Sequence, residues 1–163
     1  MKKGLLLMLM LAGLNCQMTF AQPSYVVVER QIPFSHWASS FTINVLGVDE
    51  DVVMREWQQF ITERGGTTKL TSVKNGNVEL ESEHVKFSIL NDEEVTIFTR
   101  IEPNSDQAGF RVTIWIKMKN GAFYSSKMHP DSADRIKKWL LSFNKRMRTK
   151  VMENEALRVG VKG

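Results

Sequence analysis

Apolar and polar positions alternate along this chain with two periods, and the longer period is clearest near the C-terminus. From Pro130 to Leu157, the side chains Ile136, Leu140, Phe143, Met147 and Val151 fall in one arc at 3.6 residues per turn, flanked by Ala133 and Trp139. Lys137, Lys138, Lys145 and Arg148 take the opposite side. This is an amphipathic helix with one face for a core. A shorter helix is predicted from Asp49 to Arg64, with Val53, Trp57, Phe60 and Ile61 as its buried stripe. Asp49 suits an N-cap ahead of Glu50 and Asp51, and Gly65-Gly66 suits the stop.

The remaining segments follow the period of two expected of strands. Tyr25 to Ile32 is valine-rich, and Pro33 places it at an edge or a strand end, because proline cannot donate to a ladder. Phe41, Ile43 and Val45 alternate with Thr42 and Asn44. Thr67 to Val73 and Asn77 to Ser82 flank Lys74-Asn75-Gly76, and Asn-Gly is a hairpin signal because both residues tolerate positive φ. Further strands are predicted around Val85 to Ile89, Val95 to Ile101 and Phe110 to Met118. Asn91-Asp92, Pro103 to Gly109 and Asn120-Gly121 read as turns or loops. The order is β-β-α-β-β-β-β-α. It predicts a two-layer α+β sandwich: an antiparallel sheet of five to seven strands with two helices on one face.

The first 21 residues add a destination. Lys2 and Lys3, the apolar run Leu5 to Leu14 and Thr19-Phe20-Ala21 form a secretory signal peptide, with cleavage before Gln22. A retained N-terminal anchor is the alternative. Lipidation at Cys16 is disfavoured by Asn15 where a small residue is wanted. The rest, 22–163, reads as one domain with a tail that frays after Leu157, and it has no further apolar run long enough to cross a membrane. Cys16 is the sole cysteine, so the exported domain has no disulfide and no thiol chemistry.

Charge changes the picture a little. The formal charge of +4 falls to +2 without Lys2 and Lys3. From Asp131 onward nine basic residues face four acidic ones, whereas Gln22 to Pro130 has eleven against fourteen. This asymmetry is compatible with an anionic partner near the last helix but too mild for nucleic acid.

Catalytic and metal chemistry find little support. Ser125, Ser126, His129 and Asp131 are neighbours in sequence, yet triads are assembled by fold geometry, and this stretch reads as a loop leading into a helix at Pro130. His36, His84 and His129 are far apart and in no metal-ligand spacing, so no metal or other cofactor is expected. Glu79, Glu81 and Glu83 alternate along a strand and read as its solvated side, and Asp92, Glu93 and Glu94 as a turn.

Binding is better supported. Phe98 and Trp115 point away from Val95, Ile97, Val112 and Ile114, so with both helices on one face these aromatics lie on the open face beside Arg100, Arg111 and Lys117. That composition is common at recognition surfaces. A loop or the segment with Phe34 and Trp37 folding over them is the competing reading. A second candidate is the basic side of the last helix, where Leu141 and Met152 lie among Lys138, Lys145 and Arg148. The function expected is a non-enzymatic exported domain that binds a protein or an envelope component. A carrier with a cavity between Trp57, Phe60, Trp139 and Phe143 is the alternative, and a hydrolase at Ser125 or Ser126 with His129 comes third.

Gly121 to Pro130 (GAFYSSKMHP), leading into the Ala133 to Phe143 helix, resembles a pattern in small exported proteins of Bacteroidota. Val48-Asp49 before the first helix, Trp57, the Gly65-Gly66 stop and the signal ending Phe20-Ala21-Gln22 are similar as well. The resemblance covers most of the exported chain through loose motifs. It implies a compact exported α+β domain and carries over no activity and no catalytic residue. The element order is also similar to ferredoxin-like and TATA-binding-protein-like layouts, which host many functions.

Overall fold

The structure, a computed structural model, describes residues 26–33, 37–90 and 93–160. The signal segment, Phe34, His36 and the Asn91-Asp92 turn lie outside the described residues.

The described strands are β1 (Val28–Pro33), β2 (Trp37–Leu46), β3 (Thr67–Lys74), β4 (Asn77–Phe87), β5 (Glu93–Pro103) and β6 (Gly109–Lys117). Helix α1 (Glu50–Thr62) follows β2, and α2 (Pro130–Gly160) follows β6. All neighbouring strands pair antiparallel, in one sheet of order β1-β2-β6-β5-β4-β3. Strands β3 to β6 form an up-and-down meander, while α1 carries the chain from β2 to the far edge. The α+β sandwich is as expected, with six strands.

Alternation sets the core. Phe41, Ile43 and Val45 of β2 lie on the same face as Val112, Ile114 and Ile116 of β6 and Ile97 and Ile101 of β5, and all are buried. From α1 come Val53, Trp57, Phe60 and Ile61, and from α2 Ala133, Ile136, Leu140, Phe143 and Met147. Each large side chain taken out of water there contributes ~1.5–3 kcal/mol before ordering costs. Helix α2 lies mainly along β2, where Asn144 Nδ2 donates to the Asn44 carbonyl oxygen at 2.9 Å.

Several local expectations are corrected. The segments Asn77 to Ser82 and Val85 to Ile89 belong to one strand, β4, interrupted by a bulge and ending in a 3-10 turn at Ser88–Leu90. Glu93 and Glu94 start β5, so they are not turn residues. Asp49 takes the N-cap position with an extended backbone but makes no side-chain capping bond. The Asn75-Gly76 hairpin forms as expected, with both residues at positive φ (54° and 74°) and Lys74 paired to Asn77.

A contact not foreseen joins the helices. Glu56 of α1 is 5% exposed, and its Oε2 accepts a hydrogen bond from Arg146 Nε of α2 at 2.8 Å, while Arg146 Nη1 donates to Glu63 Oε1 at 2.7 Å. The bonds to Glu63 and then Glu56 raise the Arg146 pKa.

Candidate functional site

The helices cover one face of the sheet, and the opposite face carries the residues with recognition chemistry. On β6, Arg111, Thr113, Trp115 and Lys117 share this face; Phe98 and Arg100 of β5 lie opposite Trp115 and Thr113, and Glu79 of β4 lies opposite Arg100. The sheet pairing therefore brings together all five open-face candidates, Phe98, Arg100, Arg111, Trp115 and Lys117.

Their roles differ. Trp115 is fully buried, so it cannot be a contact residue in this conformation. Its Nε1 donates to the carbonyl oxygen of Ile32 at 3.3 Å, reaching across β2 to the edge strand. The Arg100 guanidinium carbon lies 5.3 Å from the Trp115 ring centroid, within cation–π range. Arg100 is also held by Glu79, with Nε and Nη2 at 3.1 and 2.8 Å from one carboxylate oxygen. Arg111 Nε sits 3.1 Å from Glu102 Oε1. Trp115 is thus the floor of the face, and the paired arginines stand above and beside it. Phe98 is half-buried, with its ring 5.9 Å from that of Phe123.

Phe123 was not anticipated as part of this face. It arrives because the segment after β6 folds back, forming a bridge from Lys117 to Phe123 and a 2.8 Å bond from Tyr124 N to Ile116 O. Glu79 and Glu102 were also not foreseen as partners of Arg100 and Arg111. Opposite charges in the sequence hinted at pairing, but only the strand register selects the partner.

Between these side chains the face is indented. A groove of about 190 Å³ is lined by Val28, Arg30, Ile32, Asn104 and Arg111 among others, and a second depression of about 340 Å³ lies between the β3-β4 hairpin and Arg100. The glutamates of β4 face the same side. Lys69 Nζ lies 3.3 Å from Glu81 and 3.1 Å from Glu83, and the hydrogen bonds to Glu83 and Glu81 raise the lysine pKa. They are paired, not merely solvated.

The basic side of α2 is a weaker surface. Lys138, Lys145 and Arg148 are exposed, but Leu141 is half-buried and packs against the core, so the expected apolar element there reduces to Met152 and, further along, Leu157.

The rings named for a carrier cavity touch one another. Trp57 lies 5.8 Å from Trp139 and 5.0 Å from Phe143, and Phe60 lies 4.9 Å from Trp139 and 5.3 Å from Phe143. Those distances are ring-to-ring packing and leave no room for a ligand among them. Arg64 closes the cluster from outside, 3.8 Å over the Phe60 ring, and burial lowers its pKa.

Ser125, Ser126 and His129 form a turn. The Ser125 carbonyl oxygen accepts from the backbone N–H of Met128 and of His129, and the His129 carbonyl oxygen accepts from Tyr124 Oη at 2.7 Å. The imidazole stacks on the Tyr124 ring at 6.0 Å, and among the described residues no hydrogen bond links it to either serine. No metal-holding group of three or more His, Cys, Asp or Glu side chains exists among the described residues, and no helix among them is long and apolar enough to cross a membrane.

Compared with protein-family models, with curated proteins and with solved structures, the chain has no match.

Proposed function

We propose that this is an exported domain that binds a protein or cell-envelope component through the open face of its sheet. The observation that carries the reading is the asymmetry of the sandwich. Two helices close one face, while the other presents half-buried Phe98 and Phe123 among Arg100, Arg111 and Lys117 over a buried tryptophan. Aromatic and arginine side chains supply much of the energy of recognition surfaces, and an arginine already oriented by a carboxylate loses less freedom on binding. Here Glu79 orients Arg100 through two hydrogen bonds, while Glu102 lies within ion-pair distance of Arg111.

The test is a variant with Phe98→Ala, Arg111→Ala and Lys117→Ala, leaving Trp115 in place because its removal would disturb the fold. Circular dichroism should show native folding, and recovery of a crosslinked partner from the native envelope should fall at least tenfold. Undiminished recovery by a folded triple variant would overturn the open-face reading.

A further inference from the structure

A cleft of about 480 Å³ lies at one end of the open face, away from the Arg100 and Arg111 pairs. Two irregularities of the chain create it. On one side β4 bulges between Ser82 and Val85, with His84 at φ 56°, a left-handed conformation unfavourable for a non-glycine residue. On the other side β6 ends at Lys117 and the chain turns tightly, with Gly121 N donating to Met118 O and Met118 N to Ala122 O, both at 2.8 Å. Strand β5 runs between them and supplies Thr96, directly opposite Lys117. The bulge and Lys117 are two strand spacings apart, about 10 Å, so one small molecule can touch both.

The two walls differ in sign. Near the bulge stand Glu83 of β4, whose Oε1 also accepts from Lys69 Nζ at 3.1 Å, and Glu94 of β5, whose Oε2 lies 3.3 Å from His84 Nδ1. The turn side holds Lys117 and Lys119, and among the described residues neither is within ion-pair distance of a carboxylate. Direct pairing of these walls would close the cleft. The structure instead leaves both lysines out of ion-pair distance of Glu83 and Glu94.

We propose that this cleft binds a small zwitterion, an amino acid or a short peptide with free ends. Its carboxylate lies against Lys117 and Lys119, and its ammonium lies against Glu94 and Glu83. A bare anion would satisfy only the lysine wall and a bare cation only the glutamate wall, whereas a zwitterion completes both. All four side chains are partly solvated, so the affinity is modest and both contacts are needed. This site shares Lys117 with the macromolecular surface above but does not depend on that reading: Phe98 and Arg111 are not part of it, and the ligand is probed alone.

Amide chemical shifts of the ¹⁵N-labelled protein would be followed as alanine, alanylalanine, N-acetylalanylalanine, alanylalanine amide or inorganic phosphate is added. Saturable shifts at Thr96, Lys119 and Gly121 are expected with alanine or alanylalanine. At least tenfold weaker binding is expected when either end is capped, and again in a Lys117→Gln, Lys119→Gln variant. Tighter binding of alanine would support the proposal with a free amino acid as ligand, and tighter binding of alanylalanine would support it with a peptide. Capped and uncapped peptides binding equally, phosphate binding as tightly as either zwitterion, or no saturable shift at all would each overturn it.

Discussion

At Gly109 a methyl group has no room. The residue has φ 139°, and a Cβ built there would come within 2.2 Å of the Val45 carbonyl oxygen across the β2-β6 ladder. Gly109→Ala should therefore destabilise the domain by about 2 kcal/mol or more, read as a lower urea midpoint, because both the backbone conformation and the neighbouring strand must yield. Tyr124 gives a second residue-scale prediction. Burial, and then the nearby Glu29 charge, push its phenol up to about 12 from 10.0. The folded state thus keeps a proton that the unfolded chain loses, so this contribution is complete below pH 10 and is lost as pH rises toward 12. Denaturation midpoints between pH 8 and 12 should fall more steeply for the native protein than for Tyr124→Phe, with a difference of about 1–2 kcal/mol across that window.

Between elements, the contact most open to test is the Arg146 bridge from α2 to α1. Arg146→Ala leaves Glu56 buried without its partner, and such uncompensated charges cost about 3–5 kcal/mol. Replacing Glu56 and Arg146 together by Met should restore most of that loss in a double-mutant cycle measured by urea unfolding. The bridge was not visible in the sequence, because Glu56 sits among the exposed-looking polar positions of α1 and its partner is ninety residues away. Periodicity did place both apolar stripes, since Val53, Trp57, Phe60 and Ile61 and then Ile136, Leu140, Phe143 and Met147 are all buried. It split β4 in two because a bulge adds a residue and inverts the alternation, and nothing about a histidine announces φ 56°. Alternation also assigned Trp115 to the open face correctly, but it reports a direction and not a depth. Whether neighbouring side chains and segments cover a ring depends on tertiary packing, and here they bury it fully. Leu141 shows the converse, a side chain off the helical stripe that still reaches the core.

At the scale of the molecule, the sheet has two edges and one face without a helix over it among the described residues. The edges are blunted: β1 ends in Pro33, while β3 carries Lys69 and Lys74 and loses its register between Leu70 and Ser72. Lysine, proline and bulges on edge strands oppose chain-to-chain pairing. Lys69→Val with Lys74→Val should accordingly raise light scattering on warming, beside the exposed Leu70 and Val73. With the edges guarded, the open face is the surface that the proposed binding uses. The most direct measurement is site-specific photo-crosslinking in the native envelope, comparing a reactive group at Arg111 or Lys117 with one at Lys145 on the outer side of α2. One crosslinked species that forms from the two open-face positions and not from Lys145 is expected; crosslinks from Lys145 alone would overturn binding through the open face.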